Sequence, residues 1–420
     1  MRRMTGIVIL VVVVAAFCVP MAALATNGYF EHGYGTDYKA LAGAGVALPM
    51  GSLAAATNPA AMAFVGDRFD AALAVFNPNR DYTVTGAPSG FPGTFGLAPG
   101  KVKSDSRYFP VPSLGYNHAL GQEQSLGVSV YGNGGMNTNY PERTFGFAPT
   151  GVDLMQLFVT VTYARKLDEK NAIGLAPVLA FQRFKATGLA AFAPFSSAAG
   201  DLSDNGYASS FGGGVRVGYL GRWMPQLAFG ASYQSRTWMG PFDKYQGLFA
   251  AKGDFDIPSN WVAGVVVTPN PKMDLALDVQ QVRYSEVKSV ANPILPNLKP
   301  ATLGNDAGAG FGWKDMTTVK GGVQLHAANG WTWRAGYSYG QQPIPENEML
   351  FNILAPGVIQ QHVSVGFSKT LAGGRDVHLA LTRAFSNEVT GPNVLEAPGQ
   401  QKIALRMDQW DVEVGFGLGH

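Results

Sequence analysis

From about residue 68 to the end of this 420-residue chain, apolar side chains recur at every second position, and that beat constrains the fold more than any other feature. It runs through Phe69, Ala71, Leu73 and Val75, then Leu157, Val159, Val161 and Tyr163, and later Trp331, Trp333, Ala335, Tyr337 and Tyr339. It closes with Trp410, Val412, Val414, Phe416 and Leu418. A two-residue period marks extended strands with one apolar face. The intervening positions are small, polar or charged, as in Asp274, Ala276, Asp278 and Gln280, or Asp411, Glu413 and Gly415. Such strands have two solutions: a sandwich that turns its apolar faces inward, or a barrel that turns them toward lipid. Tyr116, Tyr163, Tyr219, Tyr233, Trp261, Trp331, Tyr339 and Trp410 stand near strand ends, where a barrel places the aromatic residues that settle at membrane interfaces. Composition agrees, with 46% hydrophobic residues and only 14% charged, where a soluble domain carries about 25% charged.

Connection lengths favour the barrel further. Short turns near 121–124, 168–171, 222–226, 269–272, 327–330 and 372–375 alternate with longer polar or Gly/Pro-rich segments near 87–106, 139–153, 188–206, 241–255, 286–312, 341–357 and 387–400. Tight turns at one end and long loops at the other are the plan of an outer-membrane barrel. The pattern predicts an all-β transmembrane fold, an antiparallel outer-membrane β-barrel of about fourteen strands over residues 68–420. Closure follows from the solvent, because an open sheet edge in hydrocarbon leaves backbone groups unpaired at several kcal/mol each. A barrel this wide encloses a lumen that its own wall side chains do not fill, so something else must plug it.

The start of the chain fits export. Arg2 and Arg3, an apolar run from Ile7 to Cys18 and then Ala23-Leu24-Ala25 read as a signal peptide over residues 1–25, the alternative being a retained anchor. Phe17 before Cys18 disfavours lipidation there, and the mature chain has no cysteine, as suits an oxidising compartment. A net charge of +2 offers no basic surface for nucleic acid.

Residues 26–67 lack the strand beat and read as compact turns and short helices. Asn58 before Pro59 is helix-starting chemistry, which an ordinary N-cap also explains. Asn27-Gly28-Tyr29-Phe30, Gly33-Tyr34-Gly35, Ala42-Gly43-Ala44-Gly45-Val46-Ala47 and above all Asn58-Pro59-Ala60 resemble the FadL/TodX family of outer-membrane transporters for long-chain fatty acids and aromatic hydrocarbons. The resemblance implies a fourteen-stranded barrel with an N-terminal hatch in its lumen, here residues 26–67, carrying Asn27, Phe30 and Tyr34 near the mature N-terminus and the Asn58, Pro59, Ala60 motif. It further implies capture of a hydrophobic substrate by outer loops and sideways exit through a gap made by a kink in the third strand. Gly132, Asn133, Gly134 and Gly135 fall in that strand, where glycine permits a bulge; an ordinary strand-end turn is the competing reading. A C-terminal aromatic residue is also expected, whereas this chain ends Phe416-Gly417-Leu418-Gly419-His420.

Two connections are apolar for exposed segments: Phe145, Phe147, Leu154 and Met155 after the third strand, and Leu189, Phe192, Pro194 and Phe195 before the sixth. They form either a capture groove or a lid packed over the barrel, and Met349, Leu350 and Phe351 can join either arrangement. Arg216, Arg334, Asp274, Asp278, Lys320 and Glu413 are expected to face the lumen, steering a carboxylate or pairing with one another and the hatch. His326, His362 and His378 lack metal-ligand spacing, and no hydrolase, zincin or P-loop motif is present. The expected function is passive uptake of hydrophobic compounds by a monomer, with no cofactor and no enzymatic activity. The alternative is a general aqueous porin or structural barrel. Expected partners are the hydrophobic or fatty-acid substrate, outer-membrane lipid and lipopolysaccharide, and the barrel insertion machinery.

Overall fold

The structure, a computed structural model, describes residues 27–419; the expected signal peptide, Thr26 and His420 lie outside the described residues. Of sixteen strands in one antiparallel sheet, two short ones (Gly100–Lys103 and Trp238–Met239) lie in connections, and the other fourteen close a barrel. In chain order these are β1 (Arg68–Thr85), β2 (Phe109–Ala119), β3 (Gln124–Tyr140), β4 (Thr150–Lys166), β5 (Asn171–Thr187), β6 (Ala208–Met224) and β7 (Leu227–Gln234). Then come β8 (Asn260–Asn270), β9 (Met273–Val282), β10 (Met316–His326), β11 (Trp331–Gly340), β12 (Gln361–Leu371), β13 (Arg375–Pro392) and β14 (Lys402–Gly419). Each pairs with its chain neighbour, and β14 returns to β1 in unbroken register from Arg68↔Gly419 to Thr85↔Lys402.

The outer surface carries the apolar beat. Leu73, Val128, Leu175, Leu277, Val365 and Val414 are exposed, with Tyr116, Tyr163, Trp333, Tyr339 and Trp410 among the exposed aromatics. Bilayer hydrocarbon is the solvent that removes the cost of such a surface. β1, β13 and β14 each have 18 residues, about 60 Å of strand, so even when tilted they stand well clear of the membrane at the long-loop end.

Residues 27–67 lie inside, before β1 begins. They form one short helix, α1 (Thr36–Ala40), and two 3-10 turns, Ser52–Ala56 and Pro59–Phe64. Inward glycines on the strands let this backbone approach the wall. A Cβ at Gly218 would stand 2.1 Å from Asn58 Oδ1, and one at Gly336 would stand 2.2 Å from the Leu41 carbonyl carbon. Gly174 and Gly230 likewise face Pro59 and Val46.

Polar wall side chains then tie the segment down. Asp278 Oδ2 accepts from the N–H groups of Gly45 and Val46 at 2.8 and 2.9 Å. Lys39 on α1 reaches Asp411 at 3.1 Å and Glu413 at 2.9 Å on β14, and Glu31 at 3.4 Å. Asp37 takes Arg334 of β11 at 2.9 Å and His378 of β13 at 2.8 Å. Lys320 donates to the His32 carbonyl at 2.9 Å. Of the charges expected in the lumen, Arg334, Asp278, Lys320 and Glu413 thus hold the N-terminal segment, Arg216 bonds Gln234, and Asp274 bonds His326 near a turn. The histidines go to separate partners: His326 to Asp274, His378 to Asp37, and His362 to a stack on His32.

Candidate functional site

Asn58, Pro59 and Ala60 form a structural hub. Asn58 Oδ1 accepts from Ala60 N–H at 3.1 Å, capping the 3-10 turn that Pro59 opens. Its amide donates to the carbonyls of Val46 and of Tyr219 on β6, both at 2.9 Å. One side chain therefore joins a cap, a neighbouring turn and the wall, which a plain N-cap would not do.

At the other end of the segment, the chain meets a break in the wall. β2 pairs with β1 over Phe109–Asn117 but with β3 only from Leu114↔Val130 to Ala119↔Ser125. Above Val130, β3 keeps β4 on one side and has no strand of β2 on the other. The register shifts between Gly132 and Gly134, with Asn133 as the extra residue. Because β3 then continues to Tyr140, the run Gly132, Asn133, Gly134, Gly135 is a mid-strand bulge and not a strand-end turn. Asn133 points inward and bonds Gln156 at 3.0 Å and the Tyr34 hydroxyl at 3.1 Å.

The freed edge of β3 is satisfied by the N-terminal segment. Glu31 N–H donates to the Asn133 carbonyl at 3.1 Å, Gly135 N–H donates to the Tyr29 carbonyl at 2.9 Å, and Phe30 forms a bridge with Gly134. A Cβ at Gly134 would stand 1.7 Å from the Tyr29 carbonyl oxygen, so glycine is required for this approach. Higher up, Arg80 Nη1 donates to the Asn137 carbonyl at 2.7 Å and Asp105 N–H to that of Asn139 at 2.8 Å.

The turn Asn27 to Phe30 is held by Tyr284. Tyr29 N–H donates to the Tyr284 hydroxyl at 3.1 Å, which donates to the Asn27 carbonyl at 2.5 Å. Tyr29 also packs on Phe255 and Trp313, and Trp313 Nε1 donates to Asn352 at 2.5 Å. The long connections, with Val152 and Phe184 of the wall, line an apolar cavity. Its walls include Phe184, Phe192, Phe249, Leu303, Phe311 and Phe351, and Ser289 is its one polar side chain. An apolar solute fits such walls without stripping a charge of water.

The expected capture residues divide. Phe145, Leu189 and Phe192 are buried and Phe195 is half-buried; Phe192 packs on Phe145 at 5.1 Å and on Phe351 at 5.1 Å. The two connections and the later loop with Met349 and Leu350 thus meet as a lid. Phe147 stays at the surface, 60% exposed, as do Phe91 and Leu295. Leu154 is a correction: it is not in a loop but in β4, facing inward and fully buried, and Met155 beside it belongs to the same strand. The strand begins at Thr150 because the barrel wall rises past the membrane. Tyr284, Trp313 and Arg80 carry no periodic signal in the sequence, although the connection 241–255 is dense in aromatics.

Electrically, the N-terminal segment is uneven. Burial pushes the Glu31 carboxyl up to about 8, with Asp411 and Glu413 adding to it against Lys39. Burial also opposes ionisation of Asp37, but Arg334 and His378 outweigh it and hold that carboxyl well below the usual range.

A closed barrel with an apolar outer belt, a lumen filled by its own N-terminal segment and an apolar cavity under long loops defines an outer-membrane transport channel. The chain belongs to the outer membrane protein transport protein family (OMPP1/FadL/TodX), whose profile it matches over residues 12–409. Among solved structures it is similar to the toluene transporter TodX of Pseudomonas putida, at 18% identity and a TM-score of 0.69 over 93% of this chain and 99% of that one. A FadL homologue of Pseudomonas aeruginosa gives 18% identity and 0.67 over 93% and 98%, and the Ralstonia pickettii toluene transporter TbuX gives 17% and 0.60 over 92% and 98%. No curated protein sequence matches it. Its place is therefore the outer membrane, and its family transports hydrophobic compounds.

Proposed function

We propose that this channel takes up small hydrophobic compounds passively: the lid loops admit them to the apolar cavity, and they leave sideways through the break between β2 and β3. The observation that carries this reading is the pairing of residues 29–31 with the edge of β3 that β2 leaves unpaired. Displacing that short segment would join the cavity to the gap in the wall without disturbing the closed register of the other strands. The apolar belt suits outer-membrane lipid and delivery by the barrel insertion machinery, and a single chain encloses the whole route, as a monomer requires. The ties between residues 31–60 and the wall favour a route above the hatch over an aqueous path through it. No chemical step is needed, since a solute leaving water for a greasy cavity and then for hydrocarbon moves downhill at both stages.

The test is uptake by vesicles with a lipopolysaccharide outer leaflet. Toluene and dodecanoate should enter faster with the protein than without it, while small sugars should not. Sugars entering as fast as either compound would establish the aqueous porin instead.

A further inference from the structure

From Ile173 to Phe181 the outward face of β5 is apolar throughout, about the length of strand that crosses a bilayer. Two cations, Arg183 and Lys185, come next on the same face. β4 and β14 change character at the same point, from outward apolar residues as far as Met155 and Trp410 to Asp153 and Asp408. The long loops lie at this end, so the level is the polar boundary of the outer leaflet. Elsewhere on this boundary the cations are paired, Arg383 with Asp408 at 2.8 Å and Arg406 with Asp81 at 3.3 Å. Arg183 and Lys185 make no ion pair among the described residues, and Arg183 Nε has no hydrogen-bond partner there. Asp153 stands opposite Lys185 in the ladder, but its oxygens accept from the Tyr207 hydroxyl at 2.6 Å and the Asn137 amide at 2.8 Å. The Tyr207 ring gathers both cations instead, with the Arg183 guanidinium carbon 4.1 Å and the Lys185 ammonium 5.0 Å from its centre. Just below, Phe181 and Phe211 lie 5.1 Å apart on the lipid side.

We propose that Arg183, Lys185 and Tyr207 form a site on the outside of the barrel for a phosphate of lipid A, the anchor of lipopolysaccharide, whose acyl chains lie along β5 and β6 over Leu179, Phe181 and Phe211. Charge and height select the ligand together. Two cations face one carboxylate that is already engaged, so the patch is net positive, and the anion that meets it at this height is the phosphate of an outer-leaflet lipid. Arginine offers paired donors to phosphate oxygens, and lysine adds a point charge beside it. Basic clusters at a membrane boundary bind headgroup phosphates in this way, and the apolar belt directly beneath receives the chains that free phosphate lacks. The site lies outside the lumen, so it stands or falls separately from the uptake route.

The test uses the purified protein in zwitterionic detergent, with native mass spectrometry counting bound bis-phosphorylated lipid A, dephosphorylated lipid A or phosphatidylglycerol. The phosphorylated lipid A should bind about 30-fold tighter than the dephosphorylated form, the effect of two cations at a membrane surface. Arg183→Gln with Lys185→Gln should remove that preference and leave binding of the dephosphorylated form within about twofold. Each single substitution should lose about fivefold, which keeps the site testable if the double variant fails to fold, and Arg183→Lys should retain part of the preference. Lys402→Gln, on the outward face of β14 but far above the apolar belt, should leave it unchanged. Equal binding of the two lipid A forms, or an unchanged preference in the single and double variants, would overturn the site. An equal loss in Lys402→Gln would assign the preference to diffuse charge and also overturn it. Phosphatidylglycerol binding as tightly as lipid A would mark a surface for any anionic lipid, and displacement by millimolar inorganic phosphate would mark a free-phosphate site; either result would overturn the assignment to lipid A.

Discussion

Tyr284→Phe removes one oxygen atom from the most enclosed part of the site and isolates the role of the N-terminal turn. The ring contacts with Tyr29 at 5.2 Å and Trp313 at 5.0 Å survive, because phenylalanine has the same ring. What is lost is the acceptor for Tyr29 N–H and a donor to the Asn27 carbonyl. The carbonyl keeps a bond from Phe30 N–H at 3.2 Å, whereas Tyr29 N–H is left with none among the described residues. A buried donor left unpaired costs about 1–3 kcal/mol, so a destabilisation near ~2 kcal/mol is expected for the docked turn. That raises the population of the displaced turn by about 30-fold. Backbone amide exchange reads it directly: Phe30, Glu31 and Gly135 should lose about 30-fold in protection while β7 to β12 stay unchanged. If displacement of this turn limits uptake, initial rates for hydrophobic solutes should rise together with exchange. Unchanged protection at Phe30 and Glu31 would refute the assignment of Tyr284 as the clasp, and a global loss across the strands would show that it supports the barrel instead.

Three further outcomes follow from the same contacts. Asn58→Ala should cost about 1–2 kcal/mol in docking of the N-terminal segment, and Asn58→Asp should cost at least as much, because it keeps the capping oxygen but turns a carboxylate on the Val46 and Tyr219 carbonyls; protease cleavage within residues 27–67 measures both. Gly218→Val should displace the Asn58 turn and raise the same cleavage while the barrel keeps its heat-modifiable migration. Glu31 carries the pH dependence: its docked value of about 8 lies above the ordinary value of about 4.3, so the docked form prefers the proton. Docking is then firmest below that ordinary value and weakens as pH rises toward 8; exchange at residues 31–40, corrected for intrinsic rate, should climb over that window, and Glu31→Gln should flatten the climb.

Much of the wall was legible in the sequence because a strand's period, a turn's brevity and the lipid's demand for closure are all local or compositional. The six short turns and seven long connections fall where the alternation stops. The placement of Leu154 failed for a physical reason: a bilayer needs only about 9–11 residues of strand, but β3 and β4 each run 17 residues and rise beyond it. The glycines facing the lumen read only as small residues, since what they admit, the backbone near Leu41, Val46 and Pro59, is fixed by the folded chain and not by spacing. Arg80, Tyr284 and Trp313 hydrogen-bond to partners 39 or more residues away, so no periodicity points to them.

The path itself can be read by photolabelling. An alkane carrying a diazirine is allowed to enter the channel in native outer membrane, is activated by light at successive times, and the modified residues are identified. The account predicts early labels at Phe192, Phe249 and Phe311, then at Met136 and Phe109 beside the break between β2 and β3. Labels instead around Glu31, Gln280 and Lys320, deep in the lumen beneath the N-terminal turn, would contradict it.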